Sequence, residues 1–360
     1  MRILDRYILK EVLLAFLFGI FAFSAVFIGS GTLLRIAQYV TQYGASFSAV
    51  VRLFVYSMPA IMLWTFPMSM LLATLLVFGK LSGASEITAM KSCGISFYRI
   101  IRPVVIMGIV VSIFAIAFDE YVVPWANQAY ADVINYEIKN NAAPQSREHI
   151  ILKEIKDGNI QRLVYARRFD VEKNRMEMIT MQDFEEGNLV RVENADYADW
   201  TNNEWILHNG VIYSLSNGEM SYTMHFGTQK LPIQENPDNI IREQKKPEEM
   251  TMKELETQIK IMRSQYVDTT DLEIELYQRI TVPLASFIFT LIGAPLGLQP
   301  NRNSSSIGFG LSIIIIFIYY AFMTIASVIG RMGIPPAYAV WLPNIIGAVI
   351  GCYLIKKAAR

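Results

Sequence analysis

Few side chains in this sequence have the type and spacing to do covalent chemistry. The three histidines, His149, His208 and His225, fit no metal-ligand spacing and read as residues on the surface of a sheet. No G-x-x-x-x-G-K-[S/T] loop, H-E-x-x-H or G-x-S-x-G motif occurs, so a nucleotide triphosphate is not cradled in the P-loop manner and no catalytic residue is assigned. The sequence offers instead charge placed for binding. From Ser85 a short helix is expected: Ser85 can cap it, Glu86 faces the positive end of its dipole, and Gly94 can end it in a left-handed conformation. Ile87, Met90 and Lys91 share a face of that helix. An apolar stripe with one carboxylate suits the grip of another protein, and equally suits an amphipathic helix resting on lipid. Arg35, Arg52 and Arg279 form a second set. Guanidinium forks bind phosphate bidentately, so three of them at one depth can hold an anionic head, or can pair with Asp119 and Glu120. Phe66 beside Pro67, and Tyr319 with Tyr320, are candidates for contact with acyl chains, against the commoner reading of aromatics that face neighbouring helices or bulk lipid.

The elements that must position these residues follow from composition. Of 360 residues 53% are apolar and 18% charged, below the roughly 25% charged of an average soluble domain. The 32 bases and 32 acids cancel only in total. Residues 124–276 hold 27 acids and 17 bases, a balance of −10, and the remainder holds 5 acids and 15 bases, a balance of +10. One uniform globular domain is excluded, and a basic part this apolar argues against a nucleic-acid surface.

Uncharged runs extend from Val12 to Leu34, Leu53 to Gly79, Pro103 to Phe118, Ile280 to Gln299, Asn303 to Gly330 and Met332 to Ile355, giving six candidate membrane spans. The first is too long for a signal-peptide core and is read as a retained helix. Arg2, Arg6, Lys10, Lys80, Lys91, Arg99, Arg102, Arg302, Lys356, Lys357 and Arg360 fall on one side of the spans, against Arg35, Arg52 and Arg331 in the short loops of the other. Positive charge is retained inside, so both termini are expected in the cytoplasm and the acidic insert outside. Cys93 and Cys352 then lie on the cytoplasmic side, where they cannot staple the insert. The few acids near the spans, Asp5, Glu11, Glu86, Asp119 and Glu120, sit at helix ends, which disfavours ion coupling within the chain; if it transports, the energy comes from another subunit.

Within the insert, alternating segments flank turn residues: Ile150 to Ile155 and Ile160 to Ala166, Met176 to Phe184 and Leu189 to Tyr197, Trp205 to Leu215 and Glu219 to Phe226. This spacing reads as an antiparallel sandwich or open jelly roll. Thr251 with Glu254 and Thr270 with Glu273 have capping-box spacing, and the second begins a helix expected to run through Arg279 into the fourth span.

The chain resembles the LptF/LptG family, the paired permease subunits of the lipopolysaccharide export system. The resemblance lies in Leu4-Asp5-Arg6-Tyr7, Gly79-Lys80-Leu81, Ser85-Glu86-Ile87-Thr88-Ala89-Met90, Gly94-Ile95-Ser96, Glu275-Leu276-Tyr277-Gln278-Arg279-Ile280-Thr281, Gly333-Ile334-Pro335-Pro336 and Leu342-Pro343-Asn344. It covers essentially the whole chain. Ser85 to Gly94 is more similar to the F subunit, and Leu4 to Tyr7 and Gly333 to Pro336 to the G subunit. The resemblance implies an α-helical integral protein of the bacterial inner membrane: helices 1–3 in residues 1–123, a periplasmic jelly-roll-like domain with flanking helices in 124–276, and helices 4–6 in 277–360. It implies a second LptF/LptG-type subunit, as hetero- or homodimer, a dimeric cytoplasmic ATPase of the LptB type, periplasmic jelly-roll partners of the LptC/LptA type, lipopolysaccharide as cargo, and no cofactor. It assigns Glu86, with Ile87, Met90 and Lys91, to a coupling helix at about 83–96 that docks into the ATPase, and Arg35 to the phosphates of the lipid head. A non-transporting scaffold with an external sensor, or a similar permease for another lipid, is the competing reading.

Overall fold

The computed structural model describes residues 3–138, 147–156, 159–170, 173–185, 188–201, 204–216, 219–231, 245–264, 267–298 and 305–359. It forms two compact units, Met1–Ile138 with Pro247–Arg360, and Lys139–Lys246.

In the helical unit α1 (Ile3–Phe27) passes through a π-helical turn (Ile28–Thr32) into α2 (Leu33–Tyr43). Then come α3 (Phe47–Gly83), α4 (Glu86–Ser92), α5 (Phe97–Tyr121), α6 (Val123–Asp132) and a second π-helical segment (Val133–Ile138). After the insert follow α7 (Met252–Ser264), α8 (Thr270–Leu296), α9 (Ser305–Arg331) and α10 (Pro336–Ala359). Six helical stretches are long and apolar enough to cross a membrane: Ile3–Tyr43, Phe47–Gly83, Phe97–Ile138, Thr270–Leu296, Gly308–Arg331 and Pro336–Ala359. They match the six expected spans in order. At about 1.5 Å per residue, the 42-residue stretch Phe97–Ile138 is roughly twice as long as a hydrocarbon core is thick, so it extends beyond one.

The second and fourth spans, α3 and α8, form the centre, and both are mostly buried. Helix α1 packs on α3, α5 and α10 pack on α8, and α9 packs on α10 and α3. Small residues let these backbones approach where lipid supplies no hydrophobic drive. A Cβ on Gly108 of α5 would stand 2.6 Å from Thr290 Oγ1, and one on Gly351 of α10 would stand 2.7 Å from Leu291 Cβ. The peripheral helices leave broad apolar faces uncovered, including Leu13, Leu14, Leu17, Phe18 and Phe21 on α1 and Ile313, Ile314, Phe317 and Ile318 on α9. Where the first three of these stretches come together, Ile36, Ala49, Leu53, Val133, Ile134 and Ile138 make a separate cluster. Met250, Leu255 and Ile259, with Leu272 and Leu276, pack α7 against α8, so the helices flanking the insert belong to the helical unit.

The Thr251 capping box is present: Thr251 N–H donates to Glu254 Oε2 at 2.8 Å, and Glu254 N–H to Thr251 Oγ1 at 3.3 Å. The second box does not form, and Thr269, the residue before the helix, caps no helix-start N–H with its side chain. Thr269 Oγ1 donates to Glu273 Oε1 at 2.5 Å, while Asp268 Oδ1 accepts from Thr270 N–H at 3.0 Å and holds its own carboxyl below the ordinary range by its bonds to Thr270. Helix α8 does run unbroken through Arg279.

The second unit is a six-stranded antiparallel sheet in the order β1 (Arg147–Lys156), β2 (Asn159–Asp170), β3 (Arg175–Glu185), β4 (Asn188–Thr201), β5 (Glu204–Ser216) and β6 (Glu219–Leu231). The three expected hairpins are β1–β2, β3–β4 and β5–β6. The turn residues Asp157-Gly158, Glu186-Gly187 and Asn217-Gly218 lie outside the described residues. Among the described residues the strands form one antiparallel meander, each paired with its neighbour in sequence. One face buries Val164, Phe169, Met176, Ile179, Met181, Trp205 and Leu207. Glu193 is buried with Arg191 and Gln229 as its partners, and desolvation pushes its carboxyl up despite them.

Candidate functional site

Helix α4 begins at Glu86, but Ser85 does not cap it through its side chain. Ser85 itself is left-handed, at φ 62°, which takes its hydroxyl away from the helix-start N–H groups. Gly94, at φ 81°, supplies the expected left-handed end. Ile87 is buried in the core cluster of the first three spans, with Met90 packed against it. The apolar stripe is therefore spent on this chain's own helices. Thr88, Ala89 and Ser92 remain exposed. Lys91 reaches across to the last turn of α10, donating from Nζ to Ala358 O at 3.1 Å, and stands 5.4 Å from the centre of the Phe97 ring. Glu86 accepts from the Tyr7 hydroxyl at 3.1 Å. Two ion pairs close the same corner, Lys80–Glu11 and Arg99–Asp5, both at 2.7 Å.

The three arginines of the second set have different surroundings. Arg35 on α2 is exposed, and no acidic side chain pairs with it among the described residues; the Tyr39 and Tyr130 hydroxyls lie within its field. Arg52 on α3 makes a two-pronged pair with Glu137, at 2.7 and 2.5 Å, and not with Asp119 or Glu120. Arg279 on α8 is buried. Its Nη1 donates to Met250 O at 2.5 Å and its Nη2 to Pro247 O at 2.7 Å, with Glu275 at 3.6 Å. Asp119 lies in its field, buried, with no hydrogen-bond partner for Oδ2. Glu120 accepts from Met252 N–H at 2.8 Å, and Asn127 Nδ2 donates to Glu248 O at 2.8 Å. Arg279, Glu120 and Asn127 thus fasten the 247–252 segment to the ends of α5, α6 and α8. Arg35 alone of the three keeps its fork uncommitted.

The aromatics divide likewise. Phe66 packs among Phe16, Phe114 and Phe118 in the core. Tyr319 is buried, donates to Asn344 Oδ1 at 2.7 Å, and Asn344 Nδ2 in turn donates to Thr281 O at 2.8 Å, tying α8, α9 and α10 together. Tyr320 instead lies tilted against the Trp64 ring, 5.8 Å between centres, and Trp64 is partly exposed where α3 and α9 meet. Sequence reasoning passed over Tyr7, Trp64, Glu137 and Asn344. Tyr7 and Asn344 stood in short matched stretches, but nothing in either stretch reveals a partner far along the chain.

Comparison with known proteins accounts for this arrangement. The chain is 21% identical over 365 residues to the lipopolysaccharide export system permease protein LptG of Haemophilus influenzae, covering 98% of each chain. The profile of the lipopolysaccharide export system permease LptF/LptG family matches residues 6–357. With six apolar helices around an inserted β domain and this match from end to end, the chain belongs to the LptF/LptG family of lipopolysaccharide export permeases.

Proposed function

We propose that this chain is one half of a paired permease that withdraws lipopolysaccharide from the outer leaflet of the inner membrane. Both termini and α4 face the cytoplasm, where Glu86 and the exposed side of α4 meet a dimeric ATPase; Ile87, Met90 and Lys91 hold that helix to the bundle. The β domain lies in the periplasm and passes the lipid to jelly-roll partners. The lipid head is held at Arg35, and its acyl chains run past Trp64 and Tyr320. The partner is a second subunit of the same family.

The observation that carries this reading is the uncommitted guanidinium of Arg35 on α2, in the same span as the uncovered apolar face of α1. An anionic amphiphile is complementary to that combination, with acyl chains on the apolar face and phosphate on the fork. Phe23 of α1 packs against the cluster that holds Tyr319 and Met323 of α9. A photoreactive residue at position 320 is expected to capture lipopolysaccharide in membranes, and Arg35→Gln to lower that capture while the ATPase still co-purifies. Capture unchanged by Arg35→Gln, or assembly lost with it, overturns the role given to Arg35. Capture of phospholipid alone favours a permease for another lipid.

A further inference from the structure

Helix α4 has seven residues, too few to be stable alone, so its orientation is set by what holds it. Its C-terminal half is fixed by Lys91 on the end of α10, and Ile87 anchors it in the core. At its N-terminal end a single side-chain bond is formed, from the Tyr7 hydroxyl to the Glu86 carboxylate, at 3.1 Å to one oxygen and 3.4 Å to the other. The residue before it, Ser85, sits in a left-handed conformation and makes no side-chain cap, so its hydroxyl does not help to hold this end.

Tyr7 lies in the first two turns of α1, and this end of the helix is bound to the rest of the corner by two further ties. Asp5 pairs with Arg99 at the start of α5, and Glu11 with Lys80 at the end of α3. Higher up, one side of α1 packs on α3, with Gly19 close against Ser69, and the other side is uncovered. The span is the least buried of the six, and the π-helical turn at Ile28–Thr32 carries two glycines, Gly29 and Gly31, that face open space. The first span is thus tied to α3, α4 and α5 at one end, and it leads to Arg35.

We infer that Tyr7 is a positioning residue for Glu86, and that its hydroxyl makes α4 and the lashed end of the first span move as one body. This rests on the proposal that Glu86 contacts the ATPase. It goes beyond that proposal by naming the residue that holds the carboxylate and the helix that receives the motion. Tyr7 touches neither ATP nor lipid.

The test uses the full chain with its permease partner and the cytoplasmic ATPase in nanodiscs loaded with lipopolysaccharide. Lipid released per ATP hydrolysed is measured for the parent, Tyr7→Phe, Glu86→Ala and the double variant. Tyr7→Phe keeps the ring and removes only the hydroxyl. It is expected to melt and assemble as the parent does, and to lower release per ATP by roughly three- to tenfold, as loss of one partly exposed bond to a carboxylate implies. In the Glu86→Ala background Tyr7→Phe should cost nothing further. A merely structural role would change the yield of folded complex and leave release per ATP unaltered. A Glu86→Ala defect beside an unimpaired Tyr7→Phe, or defects that multiply in the double variant, overturns the inference alone. A Glu86→Ala complex that works like the parent overturns the role of Glu86, and the inference with it.

Discussion

Replacing Arg279 by Met removes the one cation from a buried site that also holds Asp119. Arg279 is 8% exposed and Asp119 5%, so neither is rescued by water. Two carbonyls, Pro247 O and Met250 O, lose charged donors, each bond being worth about 1.5–3 kcal/mol. Asp119 is also left buried without the field of a compensating cation, and because this cost overlaps with the lost bonds, about 3–5 kcal/mol is the expected total. The loss should be focused on the segment entering α7. Hydrogen exchange in residues 245–252 should accelerate, including at the Met252 amide bonded to Glu120, while exchange in β1–β6 stays as in the parent. Adding Asp119→Asn to Arg279→Met should recover part of the loss by removing the stranded carboxylate. An Arg279→Met chain with the parent's stability and exchange pattern, but with lipopolysaccharide binding lost, refutes this reasoning and returns Arg279 to the headgroup site.

Tyr319→Phe leaves Asn344 Oδ1 buried without its donor and should cost about 1–3 kcal/mol in unfolding measurements in detergent, whereas Tyr320→Phe, whose 3.4 Å bond to Trp64 O is long, should cost much less. Equal losses at the two positions would contradict the division between them. Glu193 gives the β domain a pH dependence. Its carboxyl is raised above 4.5 by burial, so the folded state holds the proton more tightly than the unfolded one. That contribution to stability is fully present below about 4.5 and lost as pH rises through the raised value. Exchange in β4 and β5, corrected for intrinsic rates, should therefore rise with pH more steeply in the parent than in Glu193→Gln; identical slopes would show that Glu193 carries no such linkage.

Much of the architecture was legible because it rests on long-wavelength patterns. Six uncharged runs and an acidic insert announce themselves over many residues at a time, and the three hairpins follow from alternation around turn residues. Local chemistry was legible where it depends on one neighbour: the Thr251–Glu254 box formed as spaced, and Gly94 ended α4. It failed where a second local solution competed. Asp268 satisfies the Thr270 amide, so Thr269, and not Thr270, engages Glu273. The partners of the arginines were least accessible. Arg52 meets Glu137 from 85 positions away, and Arg279 meets backbone carbonyls 29 and 32 positions away, acceptors that every residue carries. All three arginines look alike in sequence, and packing alone separates Arg35 from the other two.

The most direct test of the proposed function is ATP-driven release of labelled lipopolysaccharide from proteoliposomes holding this chain, its permease partner, the cytoplasmic ATPase and the periplasmic acceptor proteins. The expected result is release that requires ATP, falls with Arg35→Gln at unchanged ATPase assembly, and stops with Glu86→Ala. ATP hydrolysis with lipopolysaccharide retained in the membrane, or release indifferent to both substitutions, would contradict it.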